Sequence, residues 1–233
     1  MLYSDLTTRL AYGELHNLAV ADSATPGTIR AADAVKVLSH TNQGLKHLFS
    51  KFVLKEKEVI LDLESTIGTY FLRAEYSLHN TTGITVPTKY IVDSPVDIFK
   101  EDIVKILHIT DFAGEPVYIN DHEQPYSVFT PTFDSIQVPT ISSGDKLSII
   151  YQAKHDDISE GTDEISIPFF LEEALQYYVA SKIYSHMNGQ EHAAKSIEYI
   201  SKFNELCQDV LVKDLITING SSTNTKLDIR GFA

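Results

Sequence analysis

The hydrophobic period of this chain changes twice, from helical spacing to a two-residue alternation and back. That order restricts the fold to a helical core with a β segment set into it. Over residues 2–21, Leu2, Leu6, Leu10, Leu15, Leu18 and Ala19 recur three to five apart, which predicts a helix with Ser4 and Asp5 available as caps. Pro26 and Gly27 mark a turn. Val35, Leu38, Leu45, Leu48, Phe49 and Phe52 then predict a second helix over 31–52, with Asp33 as its cap and Gly44 as a weak point. The two helices are expected to form a hairpin.

The middle of the chain is β-prone. Val59–Leu63, Tyr70–Tyr76 and Thr85–Val92 are short or mixed runs, with helix also open at 69–76, and Val104–Thr110 reads as a strand. A turn over Asp111–Glu115 containing Gly114 leads into Val117–Ile119, so a β-hairpin is expected there. Further strands are predicted at Ser127–Thr130, Ser135–Val138 and Lys146–Ala153. After Pro168, Phe169, Leu171, Leu175, Tyr178, Val179, Ile183 and Tyr184 predict a helix ending at Asn188–Gly189. A second stripe, through Ala193, Ala194, Ile197, Ile200, Phe203, Leu206, Val210 and Leu211, completes a C-terminal helical hairpin. The expected fold class is therefore α+β, as a single domain over residues 1–214. Its helices lie within 1–53 and 168–213, its small antiparallel sheet within 57–153, and an extended arm occupies 215–233.

Charge narrows the function. Nineteen Lys and Arg against 32 Asp and Glu leave a formal charge of −13, a field that repels phosphate and anionic lipid. No apolar run approaches the roughly 20 residues that span a bilayer, and the first residues lack a basic and apolar leader, so a protein made in the cytoplasm without membrane association is expected. Cys207 is the single cysteine, which excludes an intrachain disulfide and a cysteine-based zinc cage.

Catalytic signatures are absent. His40 and His47 lie seven apart without a third ligand nearby, and His155-Asp156-Asp157 leads into an acidic loop without the calcium-loop pattern. No Gly-x-Ser-x-Gly elbow, phosphate loop or repeated βαβ unit is present, and the apolar neighbours of Cys207 predict a buried structural thiol. No catalytic, cofactor-binding or metal-binding residue is assigned, and a non-enzymatic protein is expected. Twelve Tyr and eleven Phe without Trp carry a different message. Phe170, Tyr177, Tyr184 and Tyr199 on the last two helices are candidate contacts between subunits.

The run Ile165-Ser166-Ile167-Pro168-Phe169-Phe170-Leu171-Glu172-Glu173-Ala174-Leu175-Gln176-Tyr177-Tyr178, the Gly189 break and the helix ending Phe203-Asn204-Glu205-Leu206-Cys207 resemble the closing segment of podovirus head-to-tail adaptor proteins. Asp102–Asp111, Gly114–Val117 and Gly144–Ala153 resemble the central β part of that family, which often carries a Trp that this chain lacks. The resemblance implies a virion protein at the head-tail junction. It would form a ring, typically of about twelve copies, that docks on the portal, meets tail or nozzle proteins and passes genomic DNA. Another tail or tail-tube completion subunit, or a metal- or ligand-binding enzyme, are the alternatives. Two hypotheses accompany it. Lys226, Leu227, Ile229, Arg230 and Phe232 are expected to insert at the portal or a neighbouring copy, and Asp156, Asp157, Glu160, Asp163 and Glu164 are expected to line the channel and keep DNA from adhering.

Overall fold

Tyr178 to Ser181 are four consecutive buried residues, so that stretch of their helix has no face to spare for water. This helix, α3 (Phe169–Ser185), is the centre of the helical part of the chain. Packed on it are α1 (Tyr3–Tyr12), α2 (Ala31–Lys51) and α4 (Gln190–Val212). The computed structural model describes residues 1–80, 88–140 and 144–216. The class is α+β. The chain forms two compact units, one of residues 1–53 with 155 onward and one of residues 54–154.

Two expectations about the first helices need correction. The helix predicted over 2–21 stops at Tyr12, and Gly13 closes it by donating to the Arg9 carbonyl. Leu15 and Leu18 are buried nonetheless, from turns that follow the helix. The expected N-terminal hairpin also gives way, because α2 finds its main partner in α3. None of the predicted caps acts as an N-cap. Asp5 lies in the first turn and accepts the Leu2 N–H at 3.1 Å, and Asp33 pairs with Lys36 at 2.8 Å.

Gly44 is explained by the approach of α2 to α3. A Cβ there would lie 2.6 Å from Leu175 Cδ1 and 2.9 Å from Tyr178 Cδ1. The Cys207 thiol is buried in the same unit, and burial pushes its pKa up.

The β unit is built on a four-stranded antiparallel sheet in the order β3-β1-β6-β4, with β1 Glu56–Asp62, β3 Ile91–Val92, β4 Ile103–Asp111 and β6 Lys146–Ala153. β1 and β6 pair from Glu56↔Gln152 to Asp62↔Lys146. Alternate residues of β6, Leu147, Ile149, Tyr151 and Ala153, enter the core with Val59 and Leu61 of β1. A second sheet pairs β2 (Thr69–Phe71) with β5 (Ser135–Gln137), followed after β2 by a 3-10 turn at Ala74–Tyr76. Val117–Ile119 does not return as a strand. Val117 N–H bonds to the Ile109 carbonyl and Thr110 bridges Pro116, while the long partner of β4 is β6. Ser127–Thr130 likewise makes only isolated bridges. The predicted segment Thr85–Val92 falls partly outside the described residues.

Tyrosine phenols tie this unit's loops. Tyr90 OH donates to the Phe71 carbonyl at 3.0 Å and accepts the Phe71 N–H, and Tyr70 OH does the same for Glu64. Asp93 is the main polar node. Its carboxylate accepts from the Ser77 hydroxyl, the Phe99 N–H and both the ring and backbone nitrogens of His79, all within 3.1 Å. Burial would raise its pKa, but these donors outweigh burial and hold it at about 2.

Two predictions follow from these contacts. Below its ordinary carboxylate range Asp93 contributes stability that is complete above about pH 4 and is lost as pH falls toward 2. Asp93→Ala should therefore cost about 2–3 kcal/mol at pH 7 and much less near pH 2, measured by urea unfolding at both pH values. Gly44→Ala gains about 1 kcal/mol of helix propensity. Overlap with Leu175 and Tyr178 should reverse that to a net loss of about 1–2 kcal/mol in the same assay.

Candidate functional site

Two groups that could serve in catalysis, Lys57 and Tyr151, are committed to structure. Lys57 Nζ lies 2.9 Å from Asp97 and 3.1 Å from the buried Asp102, which accepts the Tyr151 OH at 2.9 Å. Burial pulls the Lys57 pKa down, yet the two carboxylates more than offset it, so the amine stays charged. Burial and then the Asp102 charge push the Tyr151 phenol up. A nucleophilic lysine or a general-base tyrosine needs the opposite shift.

His40 and His47, seven apart on α2, meet different partners. His40 stacks on His186 with ring centroids 5.3 Å apart, and burial lowers its pKa. His47 instead tilts against Tyr178 at 5.1 Å. His155 is buried edge-on to Phe49, with Nε2 accepting the Ser166 N–H at 3.0 Å and Nδ1 bonded to the Asp156 carbonyl. That arrangement requires the tautomer protonated at Nδ1 and leaves no lone pair for a ligand. Among the described residues, no group of three or more His, Cys, Asp or Glu is placed to hold a metal ion.

The acidic loop is an ordered feature. Asn42 on α2 clamps Ile158 through both its N–H and carbonyl, and Asp157 pairs with Lys46 at 3.2 Å. Asp163 Oδ2 accepts from Ser159 N, Ser159 Oγ and Glu160 N, and these donors lower its pKa. The chain start runs along the same loop, with Tyr3 N–H donating to the Asp163 carbonyl and Leu2 bridging Glu164. Asp156, Asp157, Glu160 and Glu164 present exposed positions, whereas Asp163 is spent on the loop's own turn.

The aromatic candidates need one correction. Tyr184 is only 7% exposed and donates to the Glu14 carbonyl at 3.0 Å, so it is a core residue of the helical unit. Tyr177 stacks on Tyr199 at 5.8 Å under the Lys202 ammonium, and both are half-buried within the α3–α4 contact. Hydrogen bonding to Glu173, then burial, pushes the Tyr177 phenol to about 12. Phe170 is half-buried, and its neighbour Phe169 is the exposed ring of the pair, at 82%. Lys226, Leu227, Ile229, Arg230 and Phe232 lie outside the described residues.

What the structure brings into view is the outer face of α4. At 100° per residue, Gln190, Ala194, Ile197, Ser201, Asn204, Gln208 and Leu211 form one line with alternating four- and three-residue steps. All are exposed and none is charged. Ile197 and Leu211, predicted for the core, belong to this line, while Phe203, Cys207 and Val210 are the buried residues. Glu191, Lys195, Glu198, Lys202, Glu205 and Asp209 gather on another side, where Glu198 pairs with Lys195 and Lys202 at 2.8 Å each. The outer face of α2 has a similar character, with exposed Ala32, Val35, Ser39, Gln43 and Ser50 in line. Only Lys46, held by Asp157, interrupts it.

In the β unit, a groove of about 760 Å³ opens among Leu63, Phe112, Val117, Tyr118, Tyr126, Val128 and Leu147. Its bulky aromatics lie in turn segments rich in Gly and Pro, where alternation gave no sign that they would share a surface.

Compared with known proteins, the sequence matches no family model and no curated protein. Among the described residues, no helix is long and apolar enough to cross a membrane.

If Asp163 organises the acidic loop, Asp163→Ala should speed amide exchange at Ser159 and Glu160 by roughly tenfold or more in hydrogen–deuterium exchange. Asp157→Asn should leave both amides unchanged.

Proposed function

We propose that this chain is a structural, non-catalytic subunit of a short-tailed phage virion, one copy of the adaptor ring that joins the portal to the tail. One observation carries the reading: two different solvent-facing stripes, one uncharged along α4 and one along α2 in which Lys46 is the only charge, lie on a chain with a net charge of −13. A ring closes through a heterologous contact, so each subunit needs two unlike patches that complement each other. The α4 stripe offers Ile197 and Leu211 as apolar anchors, with Ser201, Asn204 and Gln208 between them. Uncharged polar residues at such a seam fix register at some cost in stability. The α2 stripe is built of small side chains that permit close approach of a neighbouring helix. The resemblance in the β and C-terminal segments supplies the portal and tail as partners. The exposed acidic residues of the 156–164 loop suit a channel that DNA must traverse without binding.

The reading is tested by class averages of the purified chain with its portal. Closed rings on the portal are expected. A chain that stays monomeric alone and leaves the portal bare would overturn it. Rings that ignore the portal would favour a tail or tail-tube subunit.

Two substitutions test the contact itself. Val35→Glu and Leu211→Glu should each abolish rings while leaving helicity unchanged by circular dichroism. An equimolar mixture should yield dimers by analytical ultracentrifugation, since one intact α4-to-α2 junction remains. Burying a Leu or Val contributes about 1.5–3 kcal/mol, so a charge at either position is decisive.

A further inference from the structure

We infer that the groove of the β unit bounded by Phe112, Tyr118 and Tyr126 docks an extended, arginine-bearing segment of a partner protein, with the guanidinium between the aromatic rings and the acidic rim. The groove presents large apolar groups to water, Phe112 being 84% exposed and Tyr126 75%. These rings stand on braced loops. Asp111 Oδ1 accepts the Glu115 N–H at 2.8 Å, the Asp111 and Gly114 N–H groups bond to the Glu115 and Asp111 carbonyls, and Gly114 adopts a φ of 85°. The turn that carries Phe112 is thereby fixed. The loop that bears Tyr126 is closed where Val128 N–H and Ser127 Oγ both donate to the Tyr118 carbonyl and Asn120 N–H donates to the Val128 carbonyl. Rings held in place in this way bind at a low cost in ordering.

Charge and backbone together define the occupant. Asp111, Glu115 and Asp145 line the groove, and its one lining cation, Lys146, is already paired with Asp62 at 3.0 Å, so the rim calls for positive charge. The backbone of the wall is already bonded. Val117 N–H meets the Ile109 carbonyl, the Tyr118 carbonyl takes Val128, and Pro116 has no N–H to give, so recognition falls to side chains and not to strand addition. Aromatic faces beside carboxylates suit a guanidinium above other cations, because it is planar and weakly hydrated, stacks on a ring and donates two parallel N–H bonds to one carboxylate. Apolar side chains on either side of the arginine would cover the exposed rings. The groove's volume, about 760 Å³, admits a few such side chains and not a folded domain. The contacts proposed for ring closure lie on α2 and α4, and none of them lines this groove.

The test uses the full chain without portal and a dye-labelled, end-blocked peptide, Leu-Arg-Phe-Arg-Leu, read by fluorescence anisotropy. Saturable binding is expected. Replacing both arginines by citrulline, their neutral isostere, should weaken it at least about tenfold. On the protein, Tyr126→Ala and Asp145→Asn should each weaken binding at least about fivefold, and both remove exposed side chains, so the fold is retained. Phe133→Ala and Glu205→Gln, at an exposed ring and an exposed carboxylate outside the groove lining, should leave it unchanged. No saturable binding, or equal affinity for the citrulline peptide, would overturn the inference. So would a loss on Glu205→Gln equal to that on Asp145→Asn, which would reduce the binding to the general attraction of an acidic chain. Acetyl-arginine amide binding as tightly as the peptide would make the groove a small-molecule pocket and overturn it as well. Ring formation is read separately by microscopy without peptide, so failure of one reading leaves the other standing.

Discussion

A helix buried over four residues in succession has to be covered from every side there, and α3 imposes that demand on the helical unit. Tyr178, Val179, Ala180, Ser181, Ile183 and Tyr184 are buried in near succession, so α1, α2 and α4 must all be brought to one helix. Two of these precede the β unit in the chain and one follows α3 itself. The β unit is therefore an insertion that leaves after Val53 and returns at His155. The return is pinned by polar ties within the helical unit. Asn42 holds Ile158, His155 receives the Ser166 N–H, and the first residues of the chain bond to the carbonyls of Gly161 and Asp163. Gly44 permits α2 the close approach on which this arrangement depends.

The same economy governs the buried titratable groups of the β unit. A buried carboxylate is costly unless it is paired, and Asp93 accepts from Ser77 and His79 while Asp102 accepts the Tyr151 hydroxyl through Oδ1 and faces the Lys57 ammonium through Oδ2. Lys57 is held charged and Tyr151 held protonated by the partners that keep the sheet and its loops together. Reactivity requires a group left wanting a proton or a partner, and these have both.

Much of the architecture was legible because it rests on local period. β4, β6, α2, α3 and α4 follow the alternation or helical spacing to within a residue or two, and the Gly189 break is real, with φ at 117°. The errors share a cause. Leu15 and Leu18 continue the spacing of α1 although Gly13 has ended the helix, because turns can bury leucine as well as helices can. Val117–Ile119 alternates like a strand, yet after one bridge to β4 its backbone bonds turn to Val128 instead of continuing along β4. The division into two units rests on contacts between residues about a hundred positions apart, which no window of sequence displays. For the candidate surfaces, the apolar content of α4 was visible, but which of its residues face α3 was not. Ile197 and Leu211 fit the apolar stripe as well as Phe203 and Val210 do, and only packing separates them.

That separation also bears on assembly. On α4 the charges occupy one side, the core residues another, and the uncharged line a third, so the side chains that would resist close contact are held away from it. α2 and α4 are both fixed against α3, so the angle between their outer stripes is a property of the helical unit alone. In a ring joined through those stripes, this angle sets the curvature and hence the number of copies. Changes in the β unit would then alter what the ring binds without altering how it closes, because none of its residues belongs to either stripe.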